Sequence, residues 1–213
     1  MKKLFIIVLF GLVSTISAQR HSAFVSFGHF KPAATGGGFI LGYKGETFID
    51  RNLSFGWNVS WFHKSYVDKV LLDQYEKYYG IVSGELSEQK SKTNLHSIPL
   101  MASMTAYLPV FPVISLYVTG SAGAEAMLIF YDNLQNENEN EFKTAWDFSW
   151  QVGAGMAYKI GNRSDLVGEI SYHNSNPSWT YTVTDPETGE TKHLEQSFDM
   201  SGVALKFGFK FFW

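Results

Sequence analysis

The sequence predicts an all-β fold, an eight-stranded antiparallel up-and-down transmembrane β-barrel. Three observations favour it. Apolar and polar residues alternate with a period of two along most of the chain, as in strands that have one apolar face. Two of the alternating segments run for about fifteen residues or more, whereas an average strand has about five or six. The connections between the segments are alternately long and short.

Composition excludes several other classes. The chain has 213 residues, of which 45% are hydrophobic, 16% aromatic and only 17% charged, whereas soluble domains carry about 25% charged residues. It has no cysteine, so disulfides and thiolate metal sites are excluded. A net charge of −3 argues against a nucleic-acid-binding surface. Beyond the first 18 residues, no apolar run approaches the roughly 18 residues that a membrane helix needs.

The first 18 residues have the pattern of a secretory signal peptide. Lys2 and Lys3 precede an apolar stretch at 4–13, and small or polar residues lead to Ala18. We therefore expect residues 1–18 to be removed on export and residues 19–213 to form the barrel.

The alternation continues through the mature chain. One face of the third segment carries Leu53, Phe55, Trp57, Val59 and Trp61, while the residues between them are polar or small. Such small polar faces suit the lumen of a narrow barrel, and the apolar faces then contact lipid. Trp61 and Trp146 are expected to mark the outer aromatic girdle. The eight predicted strands are 22–30, 36–46, 52–66, 94–108, 113–131, 145–160, 165–175 and 196–213.

The connections also fit a barrel that crosses the outer membrane. Those at 46–51, 109–112 and 161–165 are short, and those at 67–93, 132–144 and 176–195 are long and polar. Outer-membrane barrels have short periplasmic turns and longer extracellular loops. A closed ring also satisfies every backbone hydrogen bond without water. Ten strands remain an alternative if 67–93 forms a fully paired hairpin.

The C-terminal residues Ala204–Trp213 resemble the last strand of bacterial outer-membrane β-barrels, which commonly ends on an aromatic residue. With the signal peptide, this ending makes the chain similar to the small OmpA/OmpX/OmpW-like barrel families. The resemblance covers nearly the whole mature chain. It implies the fold, the outer-membrane location in a Gram-negative cell, and recognition of the C-terminal strand by the barrel-assembly machinery. It assigns no site residues.

One motif suggests an enzyme. His173-Asn174-Ser175-Asn176 is similar to the His-x-Ser-Asn motif of outer-membrane lipid A deacylases. That resemblance implies His173 as base, Ser175 as nucleophile and Asn176 as oxyanion donor, with Glu187, Glu190 or Glu195 as the carboxylate. However, the strand parity predicts that His173 faces the lumen, away from a lipid substrate, and Pro177 departs from the family pattern.

A set of charged residues is expected on the lumen side. An ion-paired plug and a narrow channel for small solutes are both compatible with them. The residues are Lys44, Glu125, Asp147, Lys159, Glu169, Lys206 and Lys210.

Two long loops are the remaining candidates for a functional site. The acidic segment Asp132–Glu141 lacks the spacing of an EF-hand and is expected to be a solvated loop. Loop 67–93 is unusually apolar and, with 176–195, is a candidate site for an extracellular ligand. We expect a non-enzymatic protein with a structural or surface-interaction role, no cofactor or metal, and outer-membrane lipid and lipopolysaccharide as partners.

Overall fold

The computed structural model describes residues 20–67, 92–132, 140–184 and 191–213. These ranges contain ten strands, and no helix within them is long and apolar enough to cross a membrane. The strands are β1 (His21–Pro32), β2 (Gly38–Phe48), β3 (Leu53–Val67), β4 (Lys92–Phe111), β5 (Ile114–Asp132), β6 (Asn140–Lys159), β7 (Ser164–Asn174), β8 (Ser178–Thr184), β9 (Thr191–Ser197) and β10 (Gly202–Phe212).

Eight strands close into an antiparallel barrel in the order β1-β10-β7-β6-β5-β4-β3-β2, which confirms the predicted fold class. The eighth barrel strand begins at Gly202 and not at residue 196 as predicted. The reason is that β9 pairs with β8 as a separate hairpin inside the long connection after β7. The loop prediction for 67–93 lies mostly outside the described residues, as does 133–139 of the acidic segment.

The register determines the shape of the barrel. A path from Asn174 on β7, followed through partner residues around the ring, passes Trp150, Ala102 and Ala23 and returns to β7 at Ser164. The return point lies ten residues from the start (174 − 164). Eight strands with this stagger tilt by about 40° from the barrel axis, given a rise of about 3.3 Å per residue. A barrel of that size leaves room only for side chains.

The outer wall of the barrel is apolar. Trp61 and Trp146 face outward, as predicted, and every barrel strand has further large apolar side chains on its outer face. Hydrocarbon is the medium that suits such a belt, because water would face a far larger apolar patch than soluble proteins expose. The outward residues include Val25, Phe27, Leu41, Phe55, Trp57, Leu100, Met104, Val118, Phe148, Val152, Ile170, Leu205, Phe207 and Phe209.

Three strands are much longer than the rest. β4, β5 and β6 have 20, 19 and 20 residues, whereas β2, β7 and β10 have 11 each. The extra length lies at the long-loop end, where β5 and β6 stay paired up to Asp132 and Asn140. These strands therefore form a wall that projects beyond one side of the barrel mouth, and β8 packs against β6 there.

Candidate functional site

The lower lumen, toward the short turns, is organised around Glu46. The carboxylate forms ion pairs with Lys44, at 3.1 Å from Nζ to Oε1, and with Lys210. The Tyr107 hydroxyl donates a hydrogen bond to Glu46 Oε2 at 2.9 Å, and Ser54 Oγ donates to Oε1 at 3.1 Å. A buried carboxylate is tolerated when it is paired and hydrogen-bonded in this way.

A second ion pair lies in the middle of the lumen. Lys206 Nζ lies 3.3 Å from Glu169 Oε1, and the two residues are register partners on β10 and β7. The Tyr117 hydroxyl donates to Glu169 Oε2 at 3.1 Å. Buried acids and bases are thus matched through the lumen.

Most of the predicted lumen charges are confirmed as buried, namely Lys44, Glu125, Glu169, Lys206 and Lys210. Lys159 lies on the lumen side of β6, two residues from the buried Ala157, but it is exposed because it stands at the end of the barrel. Asp147 is half-buried at the mouth, where its carboxylate accepts the Asn176 backbone N–H.

The sequence reasoning missed Glu46. It ended the second strand at residue 46 and assigned the connection from there onward to a turn, whereas β2 continues to Phe48. Glu46 lies two residues from Lys44, and side chains two apart on a strand share a face. A longer second strand would have placed it in the lumen.

The upper lumen contains the His173 motif, at the end of β7. His173 faces the lumen, as its strand parity predicted, and its Nε2 lies 2.7 Å from Glu125 Oε2 on β5. Ser175 Oγ donates to the same oxygen at 2.6 Å, and Ser97 Oγ donates to Oε1 at 2.7 Å. The carboxylate beside His173 is therefore Glu125. Glu187 and Glu190 lie outside the described residues.

This arrangement is not that of a catalytic triad. A triad needs the carboxylate on His Nδ1 and the serine on Nε2, so that the imidazole takes the serine proton. Here both Glu125 and Ser175 face Nε2 of His173, and Ser175 Oγ lies 3.4 Å from that nitrogen. The serine proton already points to Glu125. All three side chains are buried, Glu125 completely, so a lipid substrate on the outer wall has no access to them.

An apolar cluster lies above the His173 motif and fills the barrel mouth. We call it the mouth plug. Phe198 and Met200, between the hairpin and β10, pack onto side chains from the barrel strands. Their backbone N–H groups donate to Pro177 and Ser175 oxygens at 2.9 and 3.0 Å, which holds the segment across the opening. The barrel members of the plug are Phe30, Ile40, Phe62, Leu95, Met127, Ile129, Ala145 and Ala204.

Two small cavities lie among the side chains below the mouth plug. One cavity of about 20 Å³ lies between Lys206, Glu169 and Asn58, and one of about 10 Å³ lies near Glu46. Each has room for about one water molecule. Within the described ranges, no group of three or more His, Asp or Glu side chains is placed to hold a metal ion.

The closed ring, the apolar outer wall and the filled lumen together define a small transmembrane β-barrel. Single-chain bacterial barrels of this class occupy the outer membrane and have their short turns on the periplasmic side. The protein is therefore an outer-membrane β-barrel, and we expect its short turns to face the periplasm. No protein-family model matches the chain, and no curated protein matches it.

Solved structures show the same fold at low sequence identity. A major outer membrane protein from Thermus thermophilus matches with a TM-score of 0.59 and 14% identity, over 92% of this chain and 100% of that chain. The outer membrane protein OprG from Pseudomonas aeruginosa matches with a TM-score of 0.57 and 12% identity, over 92% and 96%. Neisserial surface protein A matches with 0.51 and 13% identity, over 92% and 97%.

Proposed function

We propose that this protein is a non-enzymatic, non-conducting outer-membrane barrel that presents an interaction surface outside the cell. The observation that carries the proposal is the mouth plug. A channel needs a continuous water path, whereas here Phe198 and Met200 lie across the opening on a layer of apolar side chains. Below them, the Glu46 network closes the lower lumen.

The projecting wall supports the interaction role. β4, β5 and β6 extend well past the ends of β2, β7 and β10, although crossing the bilayer needs only about 9–11 residues per strand. The hairpin β8–β9 adds a further element on the same side. Extra length beyond the membrane has no use in anchoring, and it is suited to presenting a surface.

The proposal includes three kinds of partner. Outer-membrane lipid and lipopolysaccharide surround the apolar belt, and the barrel-assembly machinery recognises the C-terminal strand. An extracellular ligand binds at loops 67–93 and 176–195. The hairpin formed by Ser178–Thr184 and Thr191–Ser197, which overlaps most of this second loop, is tied together at its base, because Met200 N donates to Ser175 O at 3.0 Å.

Conductance tests the closed lumen. In planar bilayers, we expect the purified protein to give no steady current above that of protein-free membranes, with a porin reconstituted in parallel as the positive control. Current that disappears in Ser60→Phe, which fills the larger cavity, would instead support the narrow channel.

Grafting tests the interaction surface. Residues 178–197 are replaced by a short Gly-Ser linker, which keeps Phe198 and Met200, and the same residues are transferred to an unrelated eight-stranded barrel. Cells carrying each protein are probed with a glycan array and purified extracellular-matrix proteins. We expect binding to be lost from the deleted variant and gained by the recipient. Binding that stays with the deleted variant would contradict a role for the hairpin.

A further inference from the structure

Four aromatic rings form a continuous row on the outer face of β3 and of the projecting wall. We call this row, Trp61, His96, Phe130 and Phe142, the aromatic ladder. Its ring centroids are separated by 5.9, 5.6 and 5.0 Å from β3 across to β6. Trp61 Nε1 also donates to His96 Nδ1 at 3.1 Å, which fixes the lower rings relative to each other.

The ladder climbs away from the membrane. Trp150 on β6 pairs with Asn174, where β7 ends, and Phe142 lies eight residues further along β6. With about 3.3 Å per residue and a tilt of about 40°, Phe142 lies about 20 Å above the level of Trp150 along the barrel axis. Trp61 is expected in the outer girdle, so we expect the ladder to begin at the lipid surface and to end well above it.

The upper rings pair across the strands, since Phe130 and Phe142 are register partners with centroids 5.0 Å apart, but this pairing leaves much of each ring exposed. The opposite face of the wall carries Leu95, Met127 and Ile129, which are buried in the mouth plug. Phe130 and Phe142 point the other way and remain 37% and 52% exposed. Exposed aromatic rows of this kind mark contact surfaces.

We propose that the aromatic ladder binds the phosphorylated inner-core sugars of lipopolysaccharide, which lie above the lipid A head group. The ladder is continuous with the lipid-facing belt through Trp61, and the molecules directly above the hydrocarbon of the outer leaflet are lipopolysaccharide head groups. Aromatic rings pack against the apolar faces of sugar rings. His29 and Lys31, exposed on the outer face of β1 at the same rim, supply donors for phosphate.

This inference rests on the proposed lipopolysaccharide partnership and deepens it by naming the surface. It does not depend on the extracellular ligand at the loops.

Lipid binding to the detergent-solubilised, full-length processed protein tests the inference. The probes are lipopolysaccharide with a phosphorylated inner core, lipid A without core sugars, phosphatidylglycerol, and the lipid-free core oligosaccharide, measured by native mass spectrometry and thermophoresis. We expect the double variant Phe130→Ser/Phe142→Ser to bind core-bearing lipopolysaccharide about tenfold more weakly. Its affinity for lipid A should not change.

Phe111→Ser is the matched control, because Phe111 is similarly exposed, at 61%, but lies at the periplasmic end. Heat-modifiable gel mobility reports whether each variant is folded. If the double variant does not fold, the single variant Phe142→Thr replaces it. In that case the inference also requires that the parent protein binds the lipid-free oligosaccharide.

Three outcomes would overturn the inference. They are unchanged binding of core-bearing lipopolysaccharide by the double variant, absence of oligosaccharide binding by the parent, and concentration-dependent self-association that the double variant abolishes. Equal binding of lipid A and core-bearing lipopolysaccharide by the parent would exclude the ladder but keep the lipopolysaccharide partnership. If the parent binds neither lipid A nor core-bearing lipopolysaccharide, the lipopolysaccharide partnership itself is excluded.

Discussion

Glu125 on β5 and His173 on β7 meet in the upper lumen with 2.7 Å between Oε2 and Nε2, although β6 separates their strands in the barrel. Ser175 and Ser97 donate to the same carboxylate, so it joins β4, β5, β7 and the segment below the mouth plug. Because this carboxylate holds His173 and Ser175 together in the interior, we interpret the motif as a structural link.

Removal of the Glu125 carboxylate should destabilise the barrel. Glu125→Ala leaves three buried polar groups without their acceptor, and breaking a buried pair in this way costs about 3–5 kcal/mol. Urea unfolding in lipid vesicles, followed by tryptophan fluorescence, measures the change. Asp147→Asn, on the neighbouring strand but half-buried, is the control and should cost about 1 kcal/mol. Similar losses in both variants would contradict the structural role of Glu125.

Ser175→Ala should leave lipid A unaltered. The hydroxyl donates to Glu125 and is buried, so the substitution removes one hydrogen bond, worth about 1 kcal/mol, and no nucleophile. Mass spectrometry of lipid A from cells that express the parent or the variant should give identical acyl patterns. An acyl chain missing with the parent and restored with Ser175→Ala would establish the deacylase instead.

Glu46 and Lys210 should show energetic coupling. Glu46→Gln removes the carboxylate that forms ion pairs with both Lys44 and Lys210, while Lys210→Met leaves Glu46 paired with Lys44. We therefore expect Glu46→Gln to lower the free energy of unfolding more than Lys210→Met does. A double-mutant cycle should give a coupling energy of about 1–3 kcal/mol, measured as free energy of unfolding in vesicles. Strict additivity would mean that the two side chains do not interact.

An arginine on the outer wall should destabilise the barrel by an amount that depends on its depth in the bilayer. Phe207 lies near the middle of β10 and faces outward, so Phe207→Arg should cost about 2–4 kcal/mol in the bilayer. Phe111→Arg, at the periplasmic end, should cost about 1 kcal/mol or less. The folded fraction on heat-modifiable gels checks both, and equal yields would show that Phe207 does not face the hydrocarbon core.

The seam between the first and last strands should not tolerate a side chain at Gly208. A Cβ there would lie 1.9 Å from the Val25 carbonyl oxygen, so backbone would have to move. At Gly120 a Cβ would meet nothing within 4 Å. We expect Gly208→Ala to lower the refolding yield in detergent micelles markedly and Gly120→Ala to leave it unchanged. Parent-like refolding of Gly208→Ala would show that β1 and β10 are less closely packed.

The sequence predicted the barrel because its main signal is local. Alternation in segments such as Leu53–Trp61 follows from strand geometry alone, and it correctly placed Trp61 outside and His173 inside. The order of long and short connections then predicted eight strands, which the closed barrel confirms. Strand ends were less accurate, and the error at residue 46 removed Glu46 from the predicted lumen.

Contacts inside the barrel depended on the tertiary structure. Each strand's pattern says which side chains face inward, but the stagger of ten residues around the ring decides which of them meet. That stagger brings Glu125 to His173 and Lys210 to Glu46. Phe198, between β9 and β10, is held over the barrel mouth by its backbone hydrogen bond to Pro177 and by the apolar cluster. The sequence by itself thus determined the wall and its environment, because facing depends on neighbours along one strand. Only the folded ring decided that the lumen is filled, because this depends on pairings between residues far apart in the chain.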